Sequence, residues 1–191
     1  LRRQPPDLDH LFATLEGVKY VVTGSVAALL LGVPLEPGDL DIAPELSAPN
    51  LTMLAAALDA IDAHQDPEAP FGRWERQPDG QHTWVEFEPT AADLAARAGW
   101  RPDPAVPDSF DHLLESRYGA IDIVPWIAGT YDVLRPRAGL ITASGHDVWV
   151  EHIDDQLATL TVPRRPKDRD RVAALRRLRR TGDGHRSDCA Y

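Results

Sequence analysis

The chain of 191 residues has a single cysteine, Cys189, close to its C-terminal end. No disulfide can form within it, and a reducing compartment is expected. No apolar run is long enough to cross a bilayer. The opening stretch LRRQPPDLDH carries no apolar h-region, so no signal peptide is expected. The expected location is the cytoplasm. Seven histidines are scattered without the close spacing a metal cluster needs, and they read as surface or ordinary structural residues. No motif supports Ser-His-Asp chemistry. Lysine is scarce as well: Lys19 and Lys167 are the only two. Nearly all positive charge is arginine, whose planar fork suits bidentate contact with phosphate or carboxylate.

The formal net charge of −10 speaks against broad, non-specific binding of nucleic acid. That total hides an asymmetry. Residues 164–180, RRPKDRDRVAALRRLRR, carry nine Arg or Lys against two Asp, a local +7, so the remainder sums to −17. Such a segment is either a solvated helix face that pairs with the acidic body or a surface for anions. A hydrophobic fraction of 43% over this length is enough for a real core. The organisation expected is a body over 1–150, C-terminal helices over 151–180 packing on it, and a disordered tail over 181–191.

Along the body, Asp7 caps a first helix whose apolar face is Leu8, Leu11, Phe12 and Leu15. VKYVV (18–22) reads as a buried strand. Gly24-Ser25 turns into a short apolar helix, and PLEPG leads to a second strand, DLDIA (39–43). Residues 50–63 form a helix capped by Asn50. The polar, Pro/Gly-rich segment 64–82 reads as a loop with an Asp79-Gly80 turn. HTWVEFEP alternates as a strand, and ADLAARAG is a short helix. HLLESRYGAIDIVPW reads as a hairpin around Tyr118-Gly119, YDVLRPRAG as a short helix or turn, and GLITASGHDVWVE as a hairpin turning at Gly145. Two helices follow, the second with Val172, Leu175 and Leu178 as its buried stripe. These elements predict an α/β (α+β) fold, a mixed β-sheet flanked by helices with a C-terminal helical segment.

In an extended strand, Asp39 and Asp41 share one face, while Leu40 and Ile42 turn to the core. Two carboxylates so placed repel unless one protonates or a cation neutralises them. Mg²⁺ commonly takes one or two carboxylates together with substrate phosphates. Glycine at 24 lets backbone come close to a ligand, and a helix starting at Ser25 directs amides and a positive dipole end outward. An anion cradle beside a dicarboxylate describes a site for a metal–triphosphate. A third acid, Asp122, lies within the apolar strand AIDIV, where a lone carboxylate is costly unless paired or bound to metal. Glu86 and Glu88 compete for that role on their own strand, but Asp122 has the more apolar neighbours. Trp126, just beyond Asp122, is expected near the site.

Gly-Ser, thirteen residues, then Asp-x-Asp with apolar neighbours resembles the signature of the DNA polymerase β-like nucleotidyltransferase superfamily. The chain is most similar to its small bacterial members, antibiotic adenylyltransferases and abortive-infection type toxins. GAIDIVPWIAGTYDVL resembles the third-carboxylate strand. VEHIDDQLATLTVPRRPKDRDRVAALRRL resembles the C-terminal helix pair with its Arg-Pro-Lys-Asp turn. The resemblance covers residues 18–180, with a variable middle from 64 to 110. It implies a nucleotidyltransferase fold over 1–150, with Asp39, Asp41 and Asp122 holding Mg²⁺ (or Mn²⁺) as catalytic acids. It places Gly24 and Ser25 on the nucleotide phosphates, with Arg165, Lys167 and Asp168 in the turn at the rim. Relatives often carry a lysine where this chain has Leu160, and Arg164, Arg165 or Lys167 is expected to substitute.

The implied reaction is transfer of NMP from an NTP to an acceptor hydroxyl on an RNA or tRNA end, or on a small molecule such as an antibiotic. An antitoxin protein is a further partner of the toxin-like members, and no membrane is involved. A second hypothesis is a catalytically weak or inactive relative used for binding or as an antitoxin-type protein. A third reads DLD as the D-x-D of a nucleotide-sugar glycosyltransferase, for which little chain precedes the motif.

Overall fold

In a computed structural model of the protein, residues 5–76, 82–126, 129–160 and 166–181 are described. Nine strands and seven α-helices alternate through them. In chain order they are α1 (Leu8–Thr14), β1 (Tyr20–Val22), α2 (Gly24–Leu30), β2 (Leu40–Pro44), α3 (Ala48–Ala60), β3 (His64–Gln65), β4 (Gly72–Arg76), β5 (His82–Glu86) and α4 (Ala91–Ala98). After a 3₁₀ turn at Pro107–Phe110 come β6 (Leu113–Ser116), β7 (Gly119–Ile123), α5 (Tyr131–Leu134), β8 (Gly139–Ala143), β9 (His146–Val150), α6 (Ile153–Thr159) and α7 (Pro166–Thr181). Seven strands make one mixed sheet in the order β3-β6-β7-β2-β1-β9-β8, and β4 and β5 form a separate ribbon.

Alternation along the central strands sorts the sheet into two faces. Leu40 and Ile42 of β2, Ile121 and Ile123 of β7, Val22 of β1 and Val150 of β9 point one way and are buried. They meet Leu11 and Phe12 of α1, Leu15 just after it, and Leu51, Leu54 and Leu58 of α3, which close this side as the main core. Fully burying a Leu, Ile or Phe side chain contributes about 1.5–3 kcal/mol, so these spacings set strand register as well as stability. The opposite face carries Val21 and Ala43, covered by Leu134 of α5. A third cluster joins Ala28 of α2 to Val33, Ile153 of α6 and Leu175 of α7, with Leu160 and Leu178 packed against it. Through it the C-terminal helices sit against α2.

Two local expectations need correction. Asn50 does not cap α3. The helix starts at Ala48 after Ser47, with Pro49 in its first turn, where the fixed φ of proline favours helix entry. Asn50 is instead buried, accepting from the Lys19 amide (2.8 Å) and donating to the carbonyls of Lys19 and Glu45 (2.9 and 2.8 Å). Segment 64–82 is not a loop throughout, because β3 pairs with β6 and β4 pairs with β5. The expected Asp79-Gly80 turn and the tail from 182 onward lie outside the described residues. Among the described residues no helix is long and apolar enough to cross a membrane.

Candidate functional site

Parallel pairing of β2 with β7 puts Asp41 opposite Asp122. Both alternate with core residues (Leu40 and Ile42 on β2, Ile121 and Ile123 on β7), so both side chains leave the main core for the other face. Asp39 precedes β2 by one residue and lies near enough for its charge to act on Asp41. The sheet therefore brings the three predicted acids together. Glu86, the competing candidate, lies on the separate β4–β5 ribbon, and Glu88 follows it outside any strand.

The Asp41 carboxyl is strongly perturbed. Burial, then the charges of Asp39 and Asp122, hold its carboxyl well above the usual carboxylate range. Two groups pull the other way: the Ser25 amide, which donates to Asp41 Oδ2 over 3.4 Å, and the Arg171 guanidinium. An acid that gains so little from the protein is suited to a cation. No group of three or more His, Cys, Asp or Glu is drawn together tightly enough among the described residues to cage a metal by itself. Mg²⁺ commonly takes only one or two protein carboxylates together with water and substrate phosphates. The donor set of hard oxygens in register fits such an ion.

Gly24 explains how the site closes. It adopts φ +64°, and a Cβ built on it would fall 2.1 Å from Asp41 Oδ2 and 2.5 Å from Asp41 Cγ. The missing side chain leaves room for the Asp41 carboxylate itself, which is a different use of glycine from the expected approach to a ligand. The amide at Ser25 is likewise turned toward a carboxylate of the chain rather than outward alone. Ser25 is half-buried at the start of α2.

Two residues that sequence reasoning missed complete the surroundings. Glu151 follows β9, and its amide donates to the Val22 carbonyl at 2.9 Å, which sets it beside the end of β1. The alternation Val148, Val150 in the core against Trp149, Glu151 outside is visible in VWVE and points to this face. Glu151 is 2% exposed. Burial and then Asp155 push its carboxyl up to about 8, partly offset by the Gly24 amide and by Arg171. Arg171 is the second, three residues after Asp168 on α7 and hence on the same helical stripe.

Of the residues expected at the rim, Asp168 is buried on α7, with Oδ1 3.8 Å from an Arg171 terminal nitrogen. Arg164 and Arg165 lie outside the described residues, as does the side chain of Lys167. Leu160 packs against the apolar cluster of Ala28, Ile153 and Leu175. Trp126 is exposed, two residues beyond Val124, whose amide bonds the Ile42 carbonyl at 2.9 Å. A cavity of about 790 Å³ lies at the other end of β1, among Tyr20, Tyr131, Arg135 and Trp149, and none of the acids lines it. No protein-family model matches the chain, and no curated protein matches it.

Proposed function

We propose that this protein is a divalent-metal-dependent nucleotidyltransferase with a DNA polymerase β-like fold, moving NMP from an NTP to an acceptor hydroxyl. The observation that carries the reading is the in-register pair Asp41–Asp122, with Asp39 beside it and the Gly24-Ser25 turn packed directly on Asp41. Asp39, Asp41 and Asp122 would hold the cation, Mg²⁺ or Mn²⁺, which when bound supplies charge neutralisation to the triphosphate.

The chain's own contribution is positioning and electrostatic stabilisation, which do most of the catalysis in phosphoryl chemistry. Ser25 at the Gly24 turn, with Arg165 and Lys167, would bind the nucleotide phosphates, and Asp168 would sit at the rim beside Arg171. Asp122 orients the acceptor hydroxyl and takes its proton. The acceptor oxygen then bonds the α-phosphorus as the bridging P–O bond breaks, and pyrophosphate departs with that electron pair. The acceptor is an RNA or tRNA end or a small cationic molecule of the antibiotic type, and an antitoxin protein would restrain a toxin-like activity.

The test is transfer of α-labelled NTP to total tRNA and to a panel of small-molecule hydroxyl acceptors. Wild-type protein labels one class, and Asp41→Ala labels none while keeping its fold. Turnover retained by that variant counts against the assignment. A second reading, a catalytically silent binding or antitoxin-type relative, is favoured by Leu160, which offers no charge to the site and packs with apolar residues instead. Nucleotide binding without transfer to any acceptor would select it.

A further inference from the structure

Arg171 is a cation set among acids. The face around Gly24 gathers Asp39, Asp41, Asp122 and Glu151; Asp155 of α6 acts on Glu151 and is itself paired with Arg137 at 2.8 Å, and Asp168 of α7 lies beside Arg171. Arg171 stands on the stripe of α7 that packs through Leu175 on Ala28 of α2, the helix opened by Gly24, and its charge also acts on Asp41 and Glu151. Its side chain is only 15% exposed. Yet its approach to the adjoining Asp168 Oδ1 is 3.8 Å, beyond hydrogen-bond length, and its Nε is buried without a hydrogen-bond partner.

This arrangement is held in place. Asp168, Arg171, Val172 and Leu175 follow one another at the i, i+3, i+4, i+7 spacing of a single helical stripe. Asp168, Val172 and Leu175 are buried, and Leu175 locks onto Ala28 of α2. The rotation of α7 is thereby fixed with Arg171 on its inner side. A guanidinium this deep with an unmatched donor is costly to folding. The cost is offset when a ligand brings acceptors of matching geometry, and tetrahedral phosphate oxygens match a planar fork best. Beside Asp39, Asp41 and Asp122, an anionic ligand also needs a positive contact of this kind from the chain.

We infer that Arg171 is a nucleotide-binding residue that grips a phosphate group of the NTP. The inference rests on the nucleotidyltransferase reading and adds a contact that none of the predicted rim residues provides. It adds to the expectation that Arg164, Arg165 or Lys167 substitutes for the lysine that relatives carry where this chain has Leu160.

Calorimetry on the full chain tests it, with each Mg²⁺-NTP, Mg²⁺-tripolyphosphate and the corresponding nucleosides as probes. Arg171→Met should weaken binding of the preferred NTP and of tripolyphosphate by about ten- to a hundredfold, the range of one charge-assisted contact, and leave nucleoside binding unchanged. Arg171→Lys, with charge but no fork, should recover part of the loss. Arg171→Gln replaces the methionine variant if that one melts. Equal affinity of wild type and Arg171→Met or Arg171→Gln for NTP overturns the inference, as does an equal loss for nucleoside and NTP. If Asp41→Asn loses the Mg²⁺-NTP in the same series while the Arg171 variants keep it, only the Arg171 assignment fails. Wild type binding no Mg²⁺-NTP overturns both it and the reading beneath it.

Discussion

Asp41 and Asp122 stand directly opposite each other on neighbouring parallel strands and leave the sheet on the same face. Nothing in folding requires two acids there, because Leu40, Ile42, Ile121 and Ile123 already supply the apolar alternation that fixes this pair of strands. Their repulsion opposes folding, a conflict of the kind found at sites that bind cations.

That conflict predicts opposite effects on stability and activity. Asp41→Asn removes a charge that burial, Asp39 and Asp122 all disfavour, while keeping an acceptor for the Ser25 amide. The variant should be more stable near pH 7 by on the order of 1 kcal/mol, read as about 2–4 °C in Tm for a chain of this size. NMP transfer should fall about a hundredfold or more. Thermal melting and a labelled-NTP assay on the same preparation check both signs.

Gly24→Ala should be damaging out of proportion to one methyl group. The new Cβ meets the Asp41 carboxylate at 2.1 Å from a backbone with φ +64°. The expected loss is on the order of 1–3 kcal/mol in urea unfolding, together with loss of metal-dependent nucleotide binding. Gly38→Ala, where a Cβ meets nothing within 4 Å, is the control and should behave as wild type.

Glu151 makes stability depend on pH in a stated direction. Its carboxyl ionises near pH 8 in the folded chain against 4.5 as its ordinary value. Between those values the native state binds more protons than the unfolded state, so unfolding free energy falls as pH rises through the window. The contribution is complete below about pH 4.5 and lost by pH 8. Glu151→Gln should flatten that part of the curve and raise Tm most at the alkaline end. Melting curves from about pH 5 to 9 for both proteins show whether the slope disappears.

Much of this geometry is legible in the chain itself. The Ile-Asp-Ile alternation marks the strand at 120–124, and apolar neighbours favour Asp122 over Glu86. The parallel pairing that sets Asp122 against Asp41 is not legible, since strand order depends on long-range packing. Glu151 is inconspicuous because one acid closing a strand looks like a solvent-facing end. Its meaning comes from β1 ending beside it. Arg171 is hidden within a basic run whose helical phase Val172, Leu175 and Leu178 reveal without marking which arginine faces the site. Asn50 misleads for a local reason: it is a good cap by residue type, yet Pro49 starts the helix earlier and a buried amide serves the Lys19–Glu45 backbone instead.

Leu175 is the anchor that aims α7 at the site. Leu175→Ala, at a fully buried position against Ala28 and Ile153, should cost about 2–5 kcal/mol. Nucleotide affinity should fall with it, because Asp168 and Arg171 ride on the same stripe. Denaturant unfolding followed by nucleotide titration of the folded fraction separates the two effects.

The central claim, that Asp41 and Asp122 jointly bind a divalent cation with an NTP, is tested most directly by electron paramagnetic resonance of Mn²⁺ titrated with NTP and protein. Wild-type protein should remove free Mn²⁺ signal when NTP is present, and Asp41→Asn and Asp122→Asn should each weaken that uptake at least about tenfold. Uptake equal in all three proteins, or absent from the wild type, would contradict the account.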